Sequence, residues 1–160
     1  MKKSHKRLLA LATVVAVVVL VSRYTSDGET PVLDAEGGTK VTITRVVDGD
    51  TVYTSDGGKV RVIGYDTPEH DECGFDEAKA LVTDVLLNKS ATLVNPSSVD
   101  DEDRYGRWLR YVEFDGKDLG TEVLTAGLGH ARYDGLDGYD NHPRQDAYRS
   151  IDAETAHLCD

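Results

Sequence analysis

The sequence predicts a mainly β fold with added helices (α+β). Five short strands would close into a small closed or half-closed barrel, with three helices packed on it. Three observations predict this. Strand-like alternation recurs from Lys40 to Tyr65, broken by two turn signals. Ala78, Leu81, Val82, Val85 and Leu86 then form one apolar stripe at helical spacing. Two more strand-like runs and two more helical ones complete the chain, an order that suits a barrel with helices against it.

The elements follow in turn. Val41, Ile43 and Arg45 alternate with Thr42, Thr44 and Val46 as a first strand, which Asp48-Gly49-Asp50 ends. Thr51 to Thr54 restarts the pattern, Ser55-Asp56-Gly57-Gly58 is a turn, and Lys59 to Tyr65 is a third strand. Pro68 cannot donate to a ladder, so Asp66-Thr67-Pro68 must leave the sheet. Residues 75–88 form the first helix, and Ala91 to Val94 a fourth strand. Residues 96–103 are a loop ending in four acids, and Trp108 to Phe114 is a fifth strand. Leu119, Val123 and Leu124 mark a short second helix ending near Gly127. Residues 133–142 are loop. Pro143 suits a first helical residue, and Ala147, Ile151 and Leu158 would trace one face of the last helix.

The first 22 residues are set apart. Lys2, Lys3, Lys6 and Arg7 precede Leu8 to Val21, 14 residues broken only by Thr13. This is the pattern of an export signal. The run is short for a full span of about 20 apolar residues. A buried core helix is the alternative, but four cations directly before the run oppose it. No convincing cleavage site follows, so a signal peptide and an uncleaved anchor through residues 8–21 both stand. Either places the remainder outside the cytoplasm, secreted or held at the outer face of the membrane. Residues 23–39 read as a flexible linker, and residues 40–160 as one domain.

Residues 24–160 carry 13 Lys and Arg against 29 Asp and Glu, a net charge of -16. Such a charge repels nucleic acid at long range and excludes a basic, DNA-coating protein. It is compatible with an enzyme whose cationic site is small, and with life in high salt.

Asp50 and Asp66 lie at strand ends. If those strands pair, both carboxylates reach one hard divalent cation, and Thr67 could add its carbonyl. Taken singly, Asp-Gly-Asp and Asp-Thr-Pro are equally good turn and terminator chemistry, and Asp48 fits the turn best. Glu69 is close enough in sequence to deprotonate a water, or it is a solvated loop acid. Arg61 offers a planar fork that matches phosphate oxygens, or is a surface strand residue. Arg104-Tyr105-Gly106-Arg107 gives a second cluster. Arg107 could meet a phosphate from the side opposite Arg61, and Tyr105 could stack on a nucleotide. The other reading is a basic turn offsetting Asp100 to Asp103. His70, His130, His142 and His157 lack zinc-site spacing, and none is assigned to metal. Cys73 and Cys159 are the only cysteines, and in an exported chain they suggest a disulfide, worth roughly 4 kcal/mol in the chain-entropy account.

Three motifs occur in order: Val47-Asp48-Gly49-Asp50-Thr51-Val52, then Arg61-Val62-Ile63-Gly64-Tyr65-Asp66-Thr67-Pro68-Glu69, then Arg104-Tyr105-Gly106-Arg107. Together, and with Glu77-Ala78 and Ala126-Gly127-Leu128, they resemble the staphylococcal nuclease (thermonuclease) family from about Thr39 to Leu158. The resemblance implies an OB-type five-stranded barrel with three helices. It implies a calcium-dependent endonuclease on DNA and RNA that leaves 3′-phosphate ends; separately, no protein partner is evident and a monomer is expected. By position, Asp50, Asp66 and Thr67 match the calcium ligands, Glu69 the general base, and Arg61 and Arg107 the phosphate-binding arginines. Tyr105 and Tyr133 match the nucleotide-pocket tyrosines. This chain departs from the archetype in being acidic, in having His70-Asp71-Glu72-Cys73 where a longer lysine-rich loop stands, and in Arg104 at a frequent lysine. A non-catalytic binding module on the same fold, and a structural surface protein, are the competing readings.

Overall fold

The computed structural model describes residues 37–159, so the expected export segment at residues 1–22 and most of the expected linker lie outside the described residues. The strands are β1 (Thr39–Val46), β2 (Thr51–Thr54), β3 (Lys59–Val62), β4 (Tyr65–Asp66), β5 (Ser90–Val94), β6 (Trp108–Phe114), β7 (Lys117–Asp118) and β8 (His130–Ala131). The helices are α1 (Phe75–Leu86), α2 (Leu119–Thr125) and α3 (Gln145–Glu154).

Five strands make the barrel. β1 pairs antiparallel with β2 and with β5, β2 with β3, and β5 with β6. A parallel β3–β6 pairing, with Arg61 opposite Leu109, closes the ring and removes the free edges. β1 serves both halves. Its residues Thr39 to Thr42 pair with β5 and Ile43 to Val46 with β2, and an irregularity between Ile43 and Arg45 lets the strand turn from one partner to the other. The barrel is therefore of OB type, with three helices, as the sequence predicts.

The core follows the alternation. Ile43, Val52, Val60, Val62 and Val112 are fully buried inside the barrel. α1 adds Ala78, Val82 and Leu86, and α2 adds Leu119, Val123 and Leu124. Burying a Val or Leu side chain contributes about 1.5–3 kcal/mol, so this one cluster carries most of the drive to fold.

Three expectations need correction. The third strand does not run to Tyr65. It stops at Val62, because Gly64 takes a φ of 88° that only glycine adopts freely. The chain then leaves β3, and β4 pairs instead with β8, Tyr65 opposite Ala131 and Asp66 opposite His130. The last helix does not start at Pro143 or present Ala147 and Leu158. It starts at Gln145 and buries Tyr148, while Ala147 and Leu158 are exposed. Tyr148 wins because it supplies a large apolar ring and its hydroxyl donates to Asp118 Oδ2 at 2.7 Å. The first helix ends at Leu86 rather than residue 88, where Asn88 has a positive φ of 60°. Among the described residues no helix is long and apolar enough to cross a membrane.

Candidate active site

The turn between β1 and β2 and the break between β3 and β4 set up the site. Asp48 Oδ1 accepts from the Asp50 backbone N–H at 3.1 Å, which closes the Asp-Gly-Asp turn. The buried Tyr65 hydroxyl donates to the Gly49 carbonyl at 2.9 Å. A Cβ at Gly49 would stand 2.7 Å from Thr67 Cγ2 and 2.8 Å from Ala78 Cβ, so only glycine lets the turn lie against α1 and Thr67. These contacts direct Asp50 inward.

Asp50 is 7% exposed and its oxygens are fully engaged. Oδ1 accepts from the Thr51 hydroxyl at 2.9 Å and lies 3.3 Å from Arg61 Nε. Oδ2 accepts from the Thr67 N–H and the Thr67 hydroxyl, both at 3.1 Å. Arg61 is also buried. Its Nη1 donates to the carbonyls of Val62 at 2.6 Å and Tyr65 at 3.0 Å, and its Nη2 to Asp66 Oδ1 at 2.8 Å. The surface-strand alternative for Arg61 is thereby excluded. Asp66 is half-buried, and its Oδ2 accepts from the Tyr133 hydroxyl at 3.3 Å. The Arg61 guanidinium lies 5.5 Å from the Tyr133 ring centroid.

The local charge is negative. Burial pushes the Asp66 carboxyl above the usual carboxylate range; Arg61 opposes the shift and the Asp50 charge adds to it. Burial and the Asp50 charge likewise raise Asp48. Two carboxylates, Asp50 and Asp66, thus share one guanidinium, with Arg132 contributing more weakly at Asp66. The donors are hard oxygens, and Asp66 keeps acceptor capacity beyond its two bonds. Thr67 commits its N–H and hydroxyl to Asp50, which leaves its carbonyl as the oxygen it could offer an ion. These oxygens suit a hard divalent cation rather than a softer metal, and Asp50 would release one of its present donors to reach it.

The structure brings together Asp50, Arg61, Asp66, Thr67 and Tyr133. The other predicted residues are placed differently. Glu69 is exposed; its backbone N–H donates to Glu72 Oε2 at 2.7 Å, and its carboxylate has no partner among the described residues. Arg107 is held by Asp103, with Nε 2.6 Å from Oδ2 and its backbone N–H 3.0 Å from Oδ1. Tyr105 is 67% exposed, with the Arg104 and Arg107 guanidinium groups 4.8 and 5.5 Å from its ring centroid. Asp103 also accepts from the Tyr105 N–H, so this one acid organises the basic turn. Arg107 lies two residues before Leu109, the register partner of Arg61.

Tyr65, Arg132 and Tyr139 join the site without a signal in the sequence. Tyr65 locks the turn, Arg132 acts on Asp66, and Tyr139 packs edge-on against Tyr133 with centroids 5.4 Å apart. Tyr65 carried no signal beyond its place at a strand end, and the other two depend on β8 docking beside β4. Cys73 and Cys159 are bonded, with Cα atoms 6.0 Å apart and 86 residues of separation.

Fold and site together define an OB-type barrel with a carboxylate–arginine cluster at the break between two strands. Comparison with known families matches residues 59–156 to the family described as staphylococcal nuclease homologue. The chain belongs to the staphylococcal nuclease family. It is 35% identical over 103 residues to the SPbeta prophage-derived endonuclease YokF of Bacillus subtilis, covering 58% of this chain and 34% of that protein. It is 35% identical over 103 residues to endonuclease YncB of the same organism, covering 58% and 48%. It is 35% identical over 101 residues to the thermonuclease of Staphylococcus hyicus, covering 57% and 58%. The chain thus spans less than two thirds of the length of each of these relatives.

Proposed function

We propose that the chain is an exported, calcium-dependent endonuclease that hydrolyses phosphodiester bonds of DNA and RNA and leaves 3′-phosphate ends. The observation that carries this reading is the Asp50–Arg61–Asp66 cluster. A buried guanidinium sits between two carboxylates at 3.3 and 2.8 Å, in a chain of the nuclease family. Relatives named as endonucleases and a thermonuclease support it.

In this reading Arg61 binds a phosphate oxygen, and Arg107 binds from the opposite side after exchanging Asp103 for the substrate. Both stabilise the charge that builds on the phosphoryl group. Glu69, exposed and free of a partner among the described residues, accepts a proton from water. The water oxygen bonds to phosphorus, the bond to the 5′-oxygen breaks, and that oxygen takes up a proton. Phosphate stays on the 3′ side. A bound calcium ion, held by Asp50, Asp66 and the Thr67 carbonyl, would supply positive charge against the reacting phosphate. Tyr133 and Tyr105 hold the nucleotide, Tyr105 by stacking.

Export is supported by the basic and apolar start of the chain and by the Cys73–Cys159 bond, since disulfides persist outside the cytoplasm. Residues 8–21 would secrete the domain or hold it at the outer face of the membrane.

The test is a digest of single-stranded DNA and of RNA by the full chain, with calcium and with chelator, across a range of salt. Calcium-dependent fragments with 3′-phosphate ends are expected. No cleavage under any condition would leave the non-catalytic binding module as the reading.

A further inference from the structure

His130, Asp152 and His157 form a second cluster that the proposed nuclease site does not use. His130 is far in sequence from Asp152 and His157. His130 lies on β8, Asp152 on α3, and His157 on the segment that turns back after α3. No spacing rule reveals them, because the fold alone brings them together.

The His130 and His157 rings stack, with centroids 4.0 Å apart, and the three side chains make no hydrogen bond to one another among the described residues. One donor atom from each lies within 4.8 Å of the others. Asp152 Oδ1 stands 3.2 Å from His157 Nε2 and 3.4 Å from His130 Nδ1. Yet Oδ1 is buried and makes no hydrogen bond among the described residues, and neither does the buried Nδ1 of His157. A buried oxygen aimed at two ring nitrogens without bonding either has an unmet need. Ligands about 2.0–2.1 Å from a tetrahedral ion stand about 3.3 Å apart, which Oδ1 meets with each ring; the stacked rings would open by a turn of the exposed His130 side chain.

We propose that His130, Asp152 and His157 bind a divalent transition-metal ion of the zinc class. Two imidazoles and one carboxylate suit such an ion and disfavour calcium, which takes oxygen donors. Asp152 and His157 are mostly covered, with side chains 18 and 11% exposed, while His130 is 52% exposed. The fourth position therefore faces water on the His130 side. The ion fastens the end of the chain to the barrel. Leu158 N–H donates to the Gly127 carbonyl at 3.1 Å and Cys159 is bonded to Cys73, so His157 is already delivered to the place. His130 is the register partner of Asp66, so the ion also braces the β4–β8 ribbon that presents Asp66 to the nuclease site.

The test is cobalt(II) added to the full chain with its disulfide intact, followed by visible absorption. One equivalent should give the intense bands of four-coordinate cobalt. His130→Gln and His157→Gln should each abolish them, and excess calcium should not. Zinc should displace the cobalt and raise the melting temperature of the wild type but of neither variant. Far-UV circular dichroism checks each variant; His130 is exposed enough that His130→Gln gives a reading even if His157→Gln unfolds. Absence of intense bands in the wild type, or bands of equal strength in His130→Gln, overturns the proposal.

Discussion

Arg61 grips Asp66 across the break between β3 and β4, its Nη2 donating to Asp66 Oδ1 at 2.8 Å. The same guanidinium holds Asp50 and two backbone carbonyls, so it is structural as well as a candidate phosphate ligand. From the sequence alone, Arg61→Ala would be expected to cut turnover with little loss of fold. Its burial alters that. Removing one partner of a buried pair costs about 3–5 kcal/mol, and the part-exposed Asp66 moves this toward the lower end. Arg61→Ala is therefore expected to lower the urea midpoint clearly, and turnover by about 10²–10³-fold. Unchanged stability would contradict the geometry.

Arg107 should behave differently. Its side chain bonds Asp103 alone among the described residues, four positions away in the same turn, where Arg61 also holds Asp50 and two carbonyls, so its loss should cost only about 1 kcal/mol. Arg107→Ala should cut turnover by about 10²–10³-fold while the melting curve stays close to wild type. Unchanged turnover would remove Arg107 from the site.

His142 makes stability fall in mild acid. It is buried against Tyr111 and Tyr148, with Nδ1 2.7 Å from the Tyr111 hydroxyl. Burial holds its imidazole below the usual range, although Asp134 pulls the other way. The unfolded chain takes up the proton near pH 6.5 and the folded chain does not. The His142 contribution is therefore complete above about pH 6.5 and lost as pH falls below it. Urea midpoints measured between about pH 7 and 5 should drop less in His142→Gln than in the wild type. Parallel slopes would contradict this.

The Cys73–Cys159 bond ties the residues just before α1 to the end of the chain. A loop of this length gives about 4.5 kcal/mol in the chain-entropy account, so reduction should cost about 2–5 kcal/mol. Mass spectrometry with and without reductant checks the bond, and denaturation of the reduced chain checks its worth. Two free thiols in the native protein would contradict the structure.

The sequence revealed most where signals were local. The alternation of Val41, Ile43, Val60 and Val62 set the barrel strands, and the α1 stripe set its first helix. Asp50 and Asp66 were readable as partners because both flank the same hairpin. What failed depends on distant docking. Tyr133 meets Asp66 only because β8 pairs with β4, a two-residue contact no periodicity signals. The face of α3 departs from the apolar pattern of Ala147 and Leu158 because Tyr148 is buried for a ring and a hydroxyl bond to Asp118 together. The histidine cluster was invisible because 27 positions separate His130 from His157 in the sequence.

The most direct measurement is turnover of a single-stranded DNA oligonucleotide against calcium concentration, for wild type, Asp50→Asn and Asp66→Asn. The account predicts saturable activation in the wild type, abolished by chelator, and a large loss in both variants that excess calcium restores at most in part. Turnover independent of calcium, or wild-type activation in Asp66→Asn, would contradict it.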